Sequence, residues 1–247
     1  TTFTRSLSAL NANAAKKTYD LMIQAINENP KVDRYHASLA QIEMAIARSI
    51  SAKKDLPDDD KKTVTQLVQR SINEGKAGVA LNPQRSGNWE VLAQIYRSIM
   101  PFATGADNFA LQTYLQAVSL DPTSPELRIA LGGVYYALGR YDDAIDAFKL
   151  AVLAKPDLAN AHYNLSAAYR EKKDFENAIA QMNLVISLVE KDSSDYELAK
   201  TELDNLQKNK TIKVTEGSDS LTPPEPAGKA IINPPITLPE EANPPKP

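Results

Sequence analysis

The residue types that could carry out chemistry in this chain are few. It contains two histidines, His36 and His162, and no cysteine, so thiolate catalysis, disulfides and cysteine metal sites are excluded. A metal-binding or acid–base role for either histidine would need convergent partners, and Asp, Glu or Cys at ligand spacing is missing. Both histidines align with Trp89 in the repeat register described below. We therefore expect both rings to pack between helices, and we predict no catalytic residue, no metal site and no cofactor.

Two other short motifs have a structural explanation. The carboxylates Asp58, Asp59 and Asp60 in DLPDDD suit the first turn of a helix, where negative charge is favoured. A calcium loop would need alternating acids, a glycine and a distant glutamate, and this spacing is absent. The glycine pair Gly132-Gly133 falls inside a helical pattern, and no lysine-threonine follows it, so it is not a phosphate-binding loop.

Charge and hydropathy exclude further classes of function. The net charge is −3 with acids and bases interleaved, whereas a nucleic-acid-binding surface needs clustered Lys and Arg, so we expect no nucleic-acid partner. No stretch approaches the roughly 18 apolar residues of a membrane helix, so we expect no membrane insertion by this segment.

The elements that must position any functional residue are helices. Apolar spacing predicts a helix over residues 6–28 that ends before Pro30, a second over 33–53 and a third over 59–81. Residues 1–85 form an amino-terminal helical region in this interpretation.

From Leu81 onward the chain repeats with a period of 34 residues. Leu131, Tyr135 and Ala144 coincide with Leu165, Tyr169 and Ala178 at this offset. The earlier second helix also matches at 34, whereas its first helix matches only at 39, so five extra residues lie in the turn MPFATGADN. A fixed period of this size is typical of a helical-repeat array.

These residues resemble the tetratricopeptide repeat family, in its bacterial form. The resemblance rests on three motifs in register, listed as Trp89-Leu92-Ala93-Tyr96, Leu131-Gly132-Tyr135 and Leu165-Ser166-Tyr169, with Ala110, Ala144 and Ala178 opening the second helices. It implies an all-α fold, a right-handed α–α superhelix of about four helix pairs, with three repeats over residues 86–190. Leu39-Ala40 sits where Leu131-Gly132 would, but Glu43 replaces the tyrosine, so the amino-terminal pair is a degenerate repeat.

The small residues of the motif provide clearance between helices. Gly132 and Ser166 let the second helix of a pair approach the first, and Ala144 and Ala178 let it meet the next repeat. After these repeats, residues 191–210 are predicted to form a capping helix. Residues 211–247 are proline-rich and are predicted to be an extended tail.

Function is then expected from a surface rather than from a reaction. First helices line the concave side of such an array, which gives a groove for a peptide or partner protein. Helical phase places the following side chains in that groove: Glu90, Gln94, Arg97, Glu126, Ile129, Tyr136, Asn160, Tyr163, Asn164 and Arg170. The leading hypothesis is a non-catalytic protein-interaction module.

The tail adds a second hypothesis. The stretch AIINPPITLP carries Ile231, Ile232, Ile236 and Leu238 as apolar anchors on an extended chain. We expect it to dock on its own array or on that of a neighbouring copy, which would give self-association.

Two alternatives stay open at the level of sequence. One is a structural subunit that assembles into oligomers or filaments. The other is an accessory repeat domain of a larger membrane protein, because the spacing of NWEVLAQIYRSI is similar to repeat regions in some bacterial envelope proteins. The compartment is unknown from the sequence, with a lean toward the bacterial cell envelope or the extracytoplasmic side.

Overall fold

The structure is a computed structural model, and it describes residues 2–11, 15–215 and 236–237. Within these ranges the helices are α1 (Thr2–Asn11), α2 (Ala15–Glu28), α3 (Asp33–Ser51), α4 (Asp58–Leu81), α5 (Ser86–Ile99), α6 (Ala106–Leu120), α7 (Pro125–Ala137), α8 (Tyr141–Ala154), α9 (Ala159–Glu171), α10 (Phe175–Leu188) and α11 (Ser194–Thr215). Two short strands are β1 (Ala103–Thr104) and β2 (Ile236–Thr237). The predicted all-α class, built from consecutive helix pairs, is confirmed.

The helices belong to two compact units. Unit 1 contains α1 to α6 together with the β1–β2 pair, and unit 2 contains α7 to α11. In the part of the chain that the structure describes, no helix has the length and apolar character needed to cross a bilayer.

The single helix predicted over residues 6–28 is wrong, because the structure has two helices there. The hydroxyl of Thr2 donates to Glu28 Oε2 at 2.7 Å, so the start of α1 meets the end of α2 and the two helices run antiparallel. Periodicity did not reveal the break because Leu7, Leu10, Ala14, Leu21 and Ala25 keep a helical spacing of three, four or seven residues straight through it. Asn11, the last residue of α1, belongs to a residue type that favours helix ends over helix interiors.

The α3–α4 pair forms close to its predicted bounds. The three carboxylates of residues 58–60 occupy the first turn of α4, as expected. The pair is tied internally by the Ser71 hydroxyl, which donates to the buried carbonyl oxygen of Ala40 at 2.7 Å. This bond crosses from the second helix to the small-residue position of the first.

The α5–α6 pair contains the lengthened turn. Ala93 and Ala110 are fully buried, which allows close packing, and Gly105 has a φ of 80° that suits glycine. The extra residues form β1, which pairs in parallel with β2 through Ala103 opposite Ile236 and Thr104 opposite Thr237. This two-stranded element is an addition to the predicted all-α fold, and it satisfies backbone groups that a longer turn leaves unpaired.

Unit 2 contains the two most regular helix pairs. In α7–α8, the Ser124 side chain accepts from the Leu127 N–H and Pro125 occupies the first turn, which fixes the helix start. In α9–α10, the Ser166 hydroxyl donates to the buried Ala178 carbonyl at 2.8 Å. These contacts confirm that Ser166 lies where the two helices approach each other.

The last helix, α11, packs on α10. Ala199 and Leu206 of α11 are buried in one cluster with Ala178, Met182 and Val185. The helix continues to Thr215, so the predicted end at Lys210 is wrong. The residues after Lys210 include Lys213 and Thr215 and lack an apolar period, so the prediction had no signal for this last stretch.

Candidate functional site

Both histidines make the same structural contact. Side-chain nitrogens at four equivalent repeat positions face the carbonyl oxygen of the proline six residues earlier: His36 Nε2 to Pro30 at 2.8 Å, Trp89 Nε1 to Pro83 at 2.7 Å, Arg128 Nε to Pro122 at 3.0 Å, and His162 Nε2 to Pro156 at 2.8 Å. Each contact ties the start of a first helix to the segment before it. The prediction that the histidine rings pack between helices is confirmed, since both are buried. Arg128 was not among the predicted residues, although its register position, equivalent to that of Trp89, could have identified it.

The second ring nitrogen of each histidine is also engaged. His36 Nδ1 lies 2.6 Å from Glu74 Oε2, and His162 Nδ1 lies 2.8 Å from Gln181 Oε1. Both rings are therefore held by one contact to a preceding loop and one to a second helix. Among the described residues, no group of three or more His, Cys, Asp or Glu side chains could hold a metal ion.

In unit 2, a polar network joins three helices on the predicted interaction surface. The Tyr136 hydroxyl of α7 donates to Glu171 Oε1 of α9 at 3.0 Å. Arg170 of α9 lies 3.4 Å from the same hydroxyl through Nη2, and its Nη1 donates to Glu202 Oε2 of α11 at 3.2 Å. The structure therefore brings together two predicted residues, Tyr136 and Arg170, with two acids that were not predicted.

The network keeps Tyr136 neutral and Arg170 charged. Burial raises the pKa of the Tyr136 hydroxyl, and the Glu171 carboxylate raises it further, against the opposing effect of Arg170. Burial opposes the charge of Arg170, but its bonds to Glu171 and Tyr136 outweigh this and raise its pKa. Because about a third of the Arg170 side chain is exposed, at 37%, the guanidinium can still contact a ligand.

The other predicted residues of α9 form a second patch. The Asn164 amide donates to both the backbone oxygen and Oδ1 of Asn160, at 2.7 and 2.8 Å. Tyr163 is half-buried and packs against the cluster that includes Ala178 and Met182. Asn160 is exposed, so the amide pair is held in place and open to contact.

The predicted residues of α7 divide between surface and core. Glu126 is exposed and accepts from the Ser124 hydroxyl at 3.2 Å. Ile129 is half-buried and, like Tyr136, packs against the cluster of Ala144 and Phe148. Ile129 and Tyr136 therefore pack against the core of unit 2 in addition to any contact that they make with a ligand.

In unit 1, three predicted residues lie along α5. The Gln94 amide donates to Glu90 Oε1 at 3.0 Å, and Arg97 is an exposed basic residue in the last turn. Of the predicted tail anchors, Ile231, Ile232 and Leu238 lie outside the described residues. Ile236 is described through its backbone in β2.

This architecture defines the class of protein. Helix pairs recur along the chain, with an offset of 34 residues from α7–α8 to α9–α10, and small side chains sit where their helices approach closely. Polar networks hold the first helices, which is the organisation of a helical-repeat protein. Tetratricopeptide repeat family models match residues 110–163 and 159–192. Residues 110–192 of this chain are therefore built from tetratricopeptide repeats.

Known proteins share the repeat region and the fold. A peroxisomal targeting signal receptor of Debaryomyces hansenii is 28% identical over 137 residues, which are 51% of this chain and 23% of the receptor. The chain thus matches about a quarter of that relative's length. TTC0263, a thermophilic tetratricopeptide protein of Thermus thermophilus, superposes with a TM-score of 0.59 and 20% identity, covering 84% of this chain and 97% of its own. YrrB, described as having an unusual peptide-binding site, gives a TM-score of 0.55 and 14% identity, covering 81% and 90%.

Proposed function

We propose that this protein is a non-catalytic interaction module that binds an extended peptide, or an extended segment of a partner protein, across α7 and α9, the first helices of unit 2. The observation that carries the proposal is the Tyr136–Arg170–Glu202 network, which presents an aromatic ring and a guanidinium in a fixed arrangement on unit 2. Tyrosine and arginine are the residue types that most often anchor interfaces. The tetratricopeptide fold fits this function.

The chemistry of this surface favours a peptide ligand over a small molecule. The Asn160–Asn164 amides can donate to and accept from a peptide backbone, and Arg170 can bind a carbonyl or a carboxylate. Because the network already holds Arg170, less side-chain entropy is lost on binding. Within unit 1, the predicted residues Glu90, Gln94 and Arg97 lie along α5 and are a separate proposed contact surface.

Two similar proteins support a peptide ligand in their own cases. The YrrB description includes a peptide-binding site, and the Debaryomyces hansenii relative is described as a receptor for a targeting signal. The ligand class proposed for this chain is accordingly an extended polypeptide segment.

The test is a peptide-library selection on the full chain, followed by affinity measurements on single variants. We expect Asn160→Ala and Arg170→Ala to weaken the selected peptides at least tenfold, while Asp146→Ala, an exposed change on the second helix α8, leaves affinity unchanged. Selected peptides that bind all three variants equally well would place the binding surface elsewhere and contradict the proposal.

We also propose that the tail docks on the chain's own array. The observation behind this second candidate is the β1–β2 pairing, which joins Ile236 and Thr237 to the turn of the α5–α6 pair. The pairing involves the turn between two helices of one repeat, whereas the sequence-based hypothesis named the array without a position on it.

Light scattering of the full chain tests the intramolecular form of this docking. A monomer at all concentrations is expected. Oligomers that a double change of Ile236→Asp with Thr237→Pro dissociates would instead show that the tail joins neighbouring copies.

A further inference from the structure

An apolar pocket of about 280 Å³ opens in unit 1 beside the lengthened turn. Its wall is formed by Met44 and Ala47 of α3, Val64 and Val68 of α4, and Phe102 of the turn. This volume lies just under the range of about 300–1,000 Å³ that is typical of small-molecule sites. It therefore suits one or two apolar side chains of a peptide.

The lining of the pocket also includes polar residues. Arg48 and Ser98 both border it, and Arg48 Nη2 donates to Ser98 Oγ at 2.9 Å. An apolar floor with a polar edge is the usual arrangement of a peptide-binding pocket, in which the apolar part gives affinity and the polar part fixes orientation.

A backbone edge begins directly beside this pocket. Phe102 lines the pocket, and the next residue, Ala103, starts β1. Strand addition at such an edge uses backbone hydrogen bonds for affinity and side-chain pockets for specificity. Pocket and edge are thus neighbouring parts of one surface within unit 1.

We propose that β1 and this pocket form a docking site for an extended apolar segment, and that its occupant is the chain's own segment at Ile236–Thr237. The proposal rests on the second candidate above, tail docking, and assigns its site. In this arrangement the strand pairing sets the register of the docked segment, and the pocket provides an apolar surface next to β1.

The sequence on both sides explains why the paired element is so short. Residues 236–238 lie between Pro235 and Pro239, and proline cannot donate to a strand ladder. On the receiving side, β1 lies between Pro101 and Gly105, whose φ of 80° is incompatible with a strand. The strand β1 and the docked segment β2 therefore have matching lengths, because each has a residue on both sides that cannot continue the pairing.

The shortness of the pairing also favours the chain's own tail over a second copy. Two residue pairs and one pocket give a weak bimolecular contact, but a tethered segment experiences an effective concentration in the millimolar range. Residues 216–235 connect α11 to β2 and can span at most roughly 70 Å when extended.

A synthetic labelled peptide of residues 230–241 probes the site by fluorescence anisotropy. We compare the natural full chain with the full chain carrying Ile236→Asp and Thr237→Pro, in which the tail cannot pair. The peptide is expected to bind the double variant at least tenfold more tightly, because the tail no longer competes. Equal affinity for both chains would overturn the intramolecular occupancy.

Two further changes locate the site. In the double variant, Phe102→Ala should weaken the peptide at least tenfold, whereas Arg170→Ala, on the proposed interaction surface of unit 2, should have no effect. The reverse pattern would mean that the tail docks on the first helices. In that case the tail would still dock on the chain, but not at the site formed by β1 and the pocket.

Modified peptides keep the test independent of the folding of any pocket variant. N-methylation removes the backbone donor of one peptide residue without changing the protein. We expect the peptide N-methylated at Ile236, or the one N-methylated at Thr237, to lose at least tenfold in affinity. If both bind like the unmodified peptide, strand pairing is excluded; if even the unmodified peptide fails to bind, tail docking as a whole is excluded.

Discussion

The helix pairs α3–α4 and α9–α10 are tied by the same two kinds of hydrogen bond, which form a common repeat frame. Their cores nevertheless contain different side chains. His36 and His162 each lie 2.8 Å from the carbonyl of the proline six residues earlier. In each pair, a serine on one helix donates to the carbonyl of a fully buried alanine on the other. At the position where α9 has Tyr169, however, α3 has Glu43.

That carboxylate is buried and held by ionic contacts. Glu43 is fully buried, and Arg70 Nε of α4 lies 3.0 Å from its Oε1. The Tyr19 hydroxyl of α2 lies 3.4 Å from the same oxygen. Tyr169, by contrast, packs among apolar clusters on both of its sides. The repeat fold therefore accepts a buried ion pair at this position, where α2, a helix from outside the pair, also packs against α3.

The largest expected effect comes from removing a buried aromatic ring from the apolar core of unit 2. Phe148→Ala should lower the free energy of unfolding by about 3–5 kcal/mol, because the ring is buried among Ala144, Ile145 and Leu165 and its loss leaves a cavity. Urea unfolding followed by circular dichroism measures the loss. Leu153→Ala, a truncation at a site that is 76% exposed, is the control and should change little.

The second-largest expected effect concerns the buried Glu43 carboxyl, whose contribution to stability depends on pH. Burial raises the pKa of Glu43 to about 7 from 4.5, against the opposing charge of Arg70. A raised carboxyl pKa means that ionisation destabilises the folded state. This cost is absent below pH 4.5, grows between pH 4.5 and 7, and is complete above pH 7.

Glu43→Gln removes the ionisation and should therefore stabilise the protein at pH 8. The expected gain is at most about 3 kcal/mol, and it should disappear toward pH 5. Fluorescence of Trp89, the one tryptophan in the sequence, reports the unfolding of unit 1. Glu190→Gln, an exposed change of the same kind, should show no such pH dependence, and a gain that is equal at both pH values would mean that Glu43 does not titrate in this range.

The sequence could predict the frame because the frame is periodic. The 34-residue offset between α7–α8 and α9–α10 placed their small residues and aromatic positions. Alignment with Trp89 in the repeat register placed the two histidines, although the spacing between first helices varies along the chain. The partners of Glu43 could not be predicted in this way. Tyr19 and Arg70 are not repeat positions, and both come from helices other than the one that carries Glu43.

The same reason explains what was missed on the candidate surface. Tyr136 and Arg170 were predicted from helical phase within a repeat. Glu202 belongs to α11, which lies after the last repeat, so its contact with Arg170 depends on how that helix docks. The strand pairing of Ala103 with Ile236 joins residues that are far apart, and no local pattern indicates it.

A third prediction tests whether clearance, rather than helix propensity, explains glycine in α7. A Cβ on Gly132 would lie 2.5 Å from Phe148 Cε1, so Gly132→Ala should cost about 1–3 kcal/mol although alanine is the better helix former. The same substitution in a Phe148→Ala background should cost little or become stabilising. A double-mutant cycle measures this coupling, and additive effects would show that the two residues do not compete for space.

The smallest effect concerns the frame that both pairs share. Arg128 makes the proline-carbonyl contact of α7 from a half-buried position, so water can partly replace its guanidinium. Arg128→Leu should cost only about 0.5–1 kcal/mol, the net value of a typical hydrogen bond. The equivalent change His162→Phe should cost more, because it leaves the Gln181 and Pro156 oxygens without their buried partner. Thermal unfolding of both variants measures which loss of stability is larger. Equal losses would mean that burial of the donor does not set the strength of this contact. The proline-carbonyl contact would then contribute equally to stability wherever the repeat motif occurs.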